Sequence, residues 1–199
     1  MARAGLTAER VTRAAAELAD AVGFENLTVS ALARGFGVKD ASLYSHVRNL
    51  QDLRERVALL AAGELADHIA AAVAGRAGKD AMTAFANAYR EYALAHPGRY
   101  AATQMRLDPA VAAGSAAYAR NIELTHAMLR AYRLAEPDLT DAGRLLRSTF
   151  HGYVTLEAGG GFGHSRDVRT SWERGLDALH VLLESWPAHP SRRAGTEMT

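Results

Sequence analysis

A chain of 199 residues with 23 Lys/Arg, 22 Asp/Glu and no cysteine is long enough to bury a core. Its composition excludes a disulfide framework or a thiolate metal centre, and a net charge of +1 offers nucleic acid no bulk attraction. No run approaches the ~18–20 uncharged apolar residues of a membrane span. Arg3, Glu9, Arg10, Arg13, Glu17 and Asp20 interrupt the first twenty residues, so no export signal is read there. The expectation is a cytoplasmic protein with no membrane partner.

Residues 7–22 predict the first helix. Thr7 stands as N-cap, Glu9 places negative charge in the first turn, and Val11, Ala14, Ala15, Leu18, Ala19 and Val22 recur at helical spacing. Gly23 ends it. Thr28 caps a short helix over 29–34, a third short helix covers 39–45, and Gly35 and Gly37 lie between them. A long fourth helix begins near Leu50, carries Leu53, Val57, Leu60, Leu65, Ile69 and Val73 inward, and ends in Gly75 to Gly78.

The fifth helix, over 80–96, repeats Met82, Phe85, Tyr89, Tyr92 and His96 on one face, and Pro97 closes it. A short helix over 98–106 follows. Asp108-Pro109 is a cap with proline at the first helical position, and that seventh helix is predicted to run to about Leu134. After the Glu136-Pro137-Asp138 break come helices over 139–158 and 167–186, joined by a turn holding Gly159, Gly160, Gly161 and Gly163. From Pro187 the tail is polar and aperiodic, and is expected to be disordered. No strand alternation and no repeat period appear. The fold class is all-α, with about nine helices.

The segment from Leu27 to Val47 is the informative one. Two short helices meet at a turn where Gly37 accommodates positive φ. Val29, Leu32, Phe36, Val38, Leu43 and Val47 form a small shared core, and Ala33 lets the helices approach closely. Lys39, Asp40, Ala41, Ser42, Tyr44 and Ser45 are left facing outward. Such a helix fits a major groove, its N-terminal half on base edges and flanking groups on phosphates. The helix start at Thr28 suits a phosphate through its free N–H groups. Residues 1–56 hold eight Lys/Arg against seven Asp/Glu, so the placement of the groups carries the reading and their sum does not.

Phe36-Gly37-Val38, then Ser42-Leu43-Tyr44, then His46-Val47 and the helix opening at Leu50 resemble the DNA-binding module of the tetracycline-repressor (TetR) family over residues 7–55. The resemblance implies base or backbone contacts from Ser30, Lys39, Asp40, Ala41, Ser42, Tyr44 and His46, with Tyr44 and His46 mainly on phosphates. Thr28 and Arg48 complete the expected DNA-binding set. The chain departs from the family at Leu50, where a Lys is usual; each lost phosphate contact reduces the salt slope by about one unit, and Arg48 stands by to compensate. It also carries a negative charge at Asp40, suited to a cytosine amino group or repelling phosphate.

His96-Pro97-Gly98-Arg99-Tyr100, then Phe150-His151-Gly152, Leu156-Glu157 and Gly160-Gly161-Phe162 resemble a C-terminal domain of that family with a Trp-His-Gly signature, Phe150 standing in place of Trp. This implies a ligand-responsive, dimer-forming domain. Tyr89, Tyr92, Met105, Tyr118, Ile122, His126, Phe150, His151 and Tyr153 are the expected effector-pocket residues, with ordinary core as the alternative. Gly152 costs a helix roughly 1 kcal/mol against Ala and, with Ser148 and Thr149, predicts two helices pressed together. Trp172, Leu176, Leu179, Leu183 and Trp186 form a seam, read as a dimer interface with Leu146 and Gly152, or else as packing within the chain. The last two helices and their twofold copies would form a four-helix bundle.

The implied organisation is a helix-turn-helix domain over 1–49, an effector-binding and dimerisation domain over 50–186, and the tail over 187–199. The implied function is a homodimeric regulator, a repressor of a pseudo-palindromic double-stranded DNA operator released by a small-molecule effector. Activation within the same family is the variant reading. No nucleophile elbow, zinc motif or paired carboxylates support catalysis, and no cofactor is expected. His96, His126 and His151 read as hydrogen-bonded helix residues before they read as metal ligands, and Glu64 with His68 as a solvated face. The Gly159 to Gly163 turn follows a helix, so it fails the context of a nucleotide loop. The rival from another class is a helical small-molecule-binding protein or enzyme with a degenerate DNA-binding head.

Overall fold

A computed structural model describes residues 5–187, all of whose regular elements are helical. The helices are α1 (Ala8–Val22), α2 (Val29–Phe36), α3 (Asp40–Leu43), α4 (Leu50–Val73), α5 (Gly78–Ala95), α6 (Pro97–Thr103), α7 (Pro109–Ala113), α8 (Ala116–Leu129), α9 (Asp138–Ala158) and α10 (Val168–Glu184). The disorder expected for the tail falls on 188–199, outside the described residues.

Local chemistry sets the starts. The Thr7 hydroxyl accepts the Arg10 N–H at 3.2 Å, Thr28 that of Ala31 at 3.2 Å, Asn49 that of Asp52 at 2.8 Å, and Asp108 that of Ala110 at 2.8 Å. Each cap satisfies a donor that the helix leaves without a partner. α2 ends at Gly37, at φ +67°, where the left-handed turn lets the Val38 N–H reach the Ala33 carbonyl at 3.0 Å.

Two apolar clusters organise the chain. The first joins Val11, Ala15 and Ala19 of α1 to Leu27, Leu32, Leu43 and Val47, and extends into α4 through Leu53, Val57 and Ala58. The second gathers Leu65 and Ile69 of α4 with Phe85, Tyr89, Leu129, Leu146, Phe150, Trp172, Leu176 and Leu183. Each such large side chain contributes about 1.5–3 kcal/mol on full burial. α4, with 24 residues, spans about 36 Å at 1.5 Å per residue. It lies in both clusters, so a tilt of this helix is felt in both.

α6 makes the second link. A Cβ on Gly98 would stand 2.0 Å from the Ala19 carbonyl oxygen. Only glycine lets α6 approach the α1 backbone this closely.

The helix expected to run from 109 to about 134 is divided. Gly114 caps α7, and the Ser115 hydroxyl accepts the Tyr118 N–H at 3.3 Å to start α8. α8 then stops at Leu129 and leads into a 3-10 turn over Arg130–Tyr132.

The expected dimer seam also turns out differently. Trp172, Leu176, Leu183 and Leu146 are at most 2% exposed and belong to the chain's own second cluster. Leu179 is half-buried against that cluster. The indole N–H of Trp172 donates to Asn87 Oδ1 at 2.8 Å. Helical spacing marks an apolar stripe without naming its partner, and here the stripe packs on α5 and α9. Gly152 meets no other side chain within 4 Å of an added Cβ, so within the chain it presses on nothing.

Candidate DNA-reading head and effector cavity

The head presents one exposed edge. Lys39 precedes α3 in extended conformation, and Ala41, Ser42 and Tyr44 are exposed, Tyr44 to 52%. Leu43, between them, is fully buried in the first cluster. The short α3 is thus anchored by one leucine and offers Ala41 and Ser42 outward, with Tyr44 just beyond its end. His46 is half-buried and its N–H closes on the Leu43 carbonyl at 2.9 Å.

Asp40 does not project as a free charge. The exposed Ser30 hydroxyl of α2 donates to its carboxylate, tying the two helices of the motif together. One of the two carboxylate oxygens of Asp40 is thereby engaged within the motif.

The join to α4 is a charged cap. Asp52, 6% exposed, accepts the Arg48 N–H at 3.0 Å, the Arg48 guanidinium at 3.0 and 3.2 Å, and Arg56 Nε at 3.1 Å. Burial pushes its carboxyl upward, but these donors outweigh burial and hold it below the ordinary value of 3.8. Arg48 keeps 79% of its side chain exposed, available to a phosphate. Leu50 is half-buried against the first cluster, so the position where the family usually has Lys adds packing here. Arg54 donates to the Glu25 carbonyl at 2.8 Å and lies over the Phe24 ring.

Beside the second apolar cluster a cavity of about 430 Å³ opens between α4, α5, α6, α8 and α9. This lies in the size range of small-molecule sites. Five of the nine expected residues line it: Tyr89, Tyr118, Ile122, His126 and Phe150. Thr103, Gln104, Asn121, Thr125, Arg144 and Arg147 line it as well. Sequence reasoning passed over these because a polar residue on an amphipathic helix ordinarily faces water.

Four expected residues lie elsewhere. Tyr92 points to α4, donating to the Ala61 carbonyl at 3.2 Å and to Glu64 at 3.0 Å. Met105 packs against the head cluster. Tyr153 donates to the Val168 carbonyl at 2.8 Å and stacks on Phe162 and Trp172. His151 bonds through Nδ1 to the Tyr100 hydroxyl at 2.7 Å, and Tyr100 to the cavity residue Tyr89 at 2.8 Å. Burial raises the tyrosine hydroxyls of both Tyr89 and Tyr100 above their usual value, so these two hydroxyls stay neutral and hydrogen-bonded.

An ion-pair network that sequence reasoning missed joins head to cavity. Asp20 of α1 meets Arg99 and His96, and Arg99 meets Glu64 of α4 at 3.4 Å. His68 faces Glu91 at 3.6 Å, apart from Glu64. Among the described residues no three His, Asp or Glu side chains gather to hold a metal, and no helix is long and apolar enough to cross a membrane.

Comparison with known proteins bears on both halves. Residues 11–57 match the family model described as bacterial regulatory proteins, tetR family, and residues 82–179 match the tetracyclin repressor-like C-terminal domain. An uncharacterised HTH-type transcriptional regulator of Mycobacterium tuberculosis, Rv0681, is 37% identical over 79% of the chain and 72% of its own length. Another from Bacillus subtilis, YobS, is 32% identical over 85% and 88%.

The solved structures are similar in fold. A Rhodococcus protein of unknown function has a TM-score of 0.74 at 24% identity, covering 90% of this chain and 96% of that one. BioQ with its double-stranded DNA operator scores 0.64 at 23%, covering 91% and 99%. A TetR variant of Acinetobacter baumannii in complex with minocycline scores 0.69 at 21%, covering 93% and 100%.

Proposed function

We propose, for a chain that belongs to the tetR family of bacterial DNA-binding transcriptional regulators, that it acts as a homodimeric repressor whose hold on its operator is released by a small molecule in the cavity. The observation that carries this reading is the shared helix α4. It caps and packs the reading head through Asp52, Leu53 and Val57, and lines the cavity through Ala62, Leu65 and Ile69.

In this reading Lys39, Ala41, Ser42 and Tyr44 meet the major groove, and Thr28, His46 and Arg48 hold phosphates. Two heads in a dimer stand about one DNA turn, ~34 Å, or a multiple of it apart. A ligand that fits the cavity only when α4 and α6 have shifted draws the protein toward the state with the wrong head spacing, by as much as its affinity differs between the states. The fold shared with BioQ on its operator and with the minocycline-bound TetR supports a DNA end and a ligand end in one chain.

The dimer face in this reading is the outer side of α9 and α10. Leu156, Val181 and Leu182 are exposed there at 50%, 61% and 38%, and Gly152 and Gly175 leave room for a close approach. This face replaces the seam of Trp172, Leu176 and Leu183.

The test is fluorescence anisotropy with DNA flanking the chain's own gene, across a salt series. The expected result is tight binding to one segment over scrambled DNA, falling steeply with salt and lost in Tyr44→Ala without loss of helicity. Weak binding, equal on all sequences at low salt, would overturn the reading in favour of a ligand-binding protein with a disabled head.

A further inference from the structure

The cavity has a charge pattern. Its buried part is apolar and aromatic, formed by Leu65, Ile69, Phe85, Met128, Leu146 and Phe150. The lining residues that are also exposed are Ile122, His126, Arg144 and Arg147, and these mark the mouth. Among the described residues no Asp or Glu lines the cavity.

The two arginines differ. Arg144 faces Asp141 at 3.6 Å, one turn away on α9 and outside the cavity. Arg147 has no ion-pair or hydrogen-bond partner among the described residues. Its charge is felt at the hydroxyls of Tyr89, Tyr100 and Tyr118, where it opposes the upward push of burial. A guanidinium one turn from a second one, lining the same cavity as Tyr89 and Tyr118 and with no carboxylate of its own, is a fork awaiting an acid.

We infer that the cavity takes an amphipathic anion, a carboxylate with an apolar or aromatic body, whose charge is received by Arg147 with Arg144 and whose body lies against Phe85 and Phe150. Asn121, Thr125 and Gln104 are the half-buried polar residues of the walls. A cationic ligand meets two guanidinium groups, of which only Arg144 has a carboxylate beside it. A neutral one leaves Arg147 unpaired. The inference rests on the effector reading above and adds the chemistry of the ligand.

The test uses the full-length protein and three carboxylates of graded body, octanoate, decanoate and 4-phenylbutyrate, each beside the amine and the alcohol of the same skeleton. Binding is followed by calorimetry and by tryptophan fluorescence in a Trp186→Phe background, which leaves Trp172, whose ring centroid lies 5.6 Å from that of Phe150. The expected result is that at least one carboxylate binds about tenfold or more tighter than both counterparts. Arg147→Met brings that preference to within about threefold, and Arg147→Lys retains part of it. Because Arg147 is exposed, an unchanged melting temperature certifies the fold of both variants.

An amine or alcohol that binds as tightly as its acid, or a preference that survives Arg147→Met, overturns the inference. Operator anisotropy separates it from the reading beneath it. Carboxylates that bind with the stated preference and leave DNA affinity unchanged uphold the charge assignment and sink effector release. An amine or alcohol that releases the operator while the acids do not does the reverse. No binding by any probe at millimolar concentration overturns the charge assignment, while the reading beneath it stands or falls on the operator anisotropy.

Discussion

Asp20 and Arg99 lie 79 residues apart in sequence, and the Asp20 carboxylate accepts the Arg99 backbone N–H at 2.8 Å while its other oxygen stands 3.2 Å from the Arg99 Nε. One carboxylate at the end of α1 thus serves as the N-terminal partner of α6, whose far end lines the cavity through Thr103. Asp20→Ala is expected to lower unfolding free energy by about 1–3 kcal/mol, since it strips a partly buried backbone N–H of its acceptor and the Arg99 guanidinium of a paired carboxylate. Asp20→Asn, which retains an acceptor for the N–H, costs less. Urea denaturation of the two variants checks this, and equal losses would place the whole effect in the charge.

Gly98 tests the same contact by volume. Its missing Cβ is what the Ala19 carbonyl oxygen, at 2.0 Å from that point, requires. Gly98→Ala must push α6 off the α1 backbone, an overpacking cost of about 1–3 kcal/mol or more. The control is Gly35→Ala in α2, where nothing stands within 4 Å and the helix gains up to about 1 kcal/mol. A thermal melt of each is enough; an unchanged Gly98→Ala would mean that the two helices are not in fact pressed together.

Stability against acid should pass through Asp52. Its folded carboxyl sits below the ordinary value of 3.8, so its contribution is fully present above that value. It is lost as pH falls through the lower folded value. The gap in unfolding free energy between the wild type and Asp52→Asn is expected to be largest at neutral pH and to shrink below about pH 4. A gap that widens on acidification would reverse the sign of the argument.

In the dimer proposed above, the two faces of α10 separate interface from core. Val181→Glu, at a position 61% exposed, is expected to yield a folded monomer by sedimentation, with operator binding weakened because one head alone grips a half-site. Leu176→Ala, at 2% exposure, is expected to cost about 2–5 kcal/mol from the buried cavity it opens. A Val181→Glu protein that remains dimeric would move the interface off this face.

What the sequence determined by itself is local. Thr7, Thr28 and Asn49 act within three residues of themselves, and Gly37 bends the chain where it stands. The head's small core follows from Leu32, Leu43 and Val47 at short range, so that an all-α chain with a helix-turn-helix near its start was legible without coordinates.

What only the tertiary structure decided is which surface each stripe meets. Tyr89 and Tyr92 are one helical turn apart and chemically alike, yet one lines the cavity and the other bonds to α4. Trp172 and Leu176 form a seam fit for another helix, and that helix is supplied by the same chain. Asp20 finds Arg99, and Arg147 finds no carboxylate, because of how distant helices lie across one another. Periodicity reports that a face is apolar. The identity of the partner is a property of packing among elements far apart in the chain, and no local spacing encodes it.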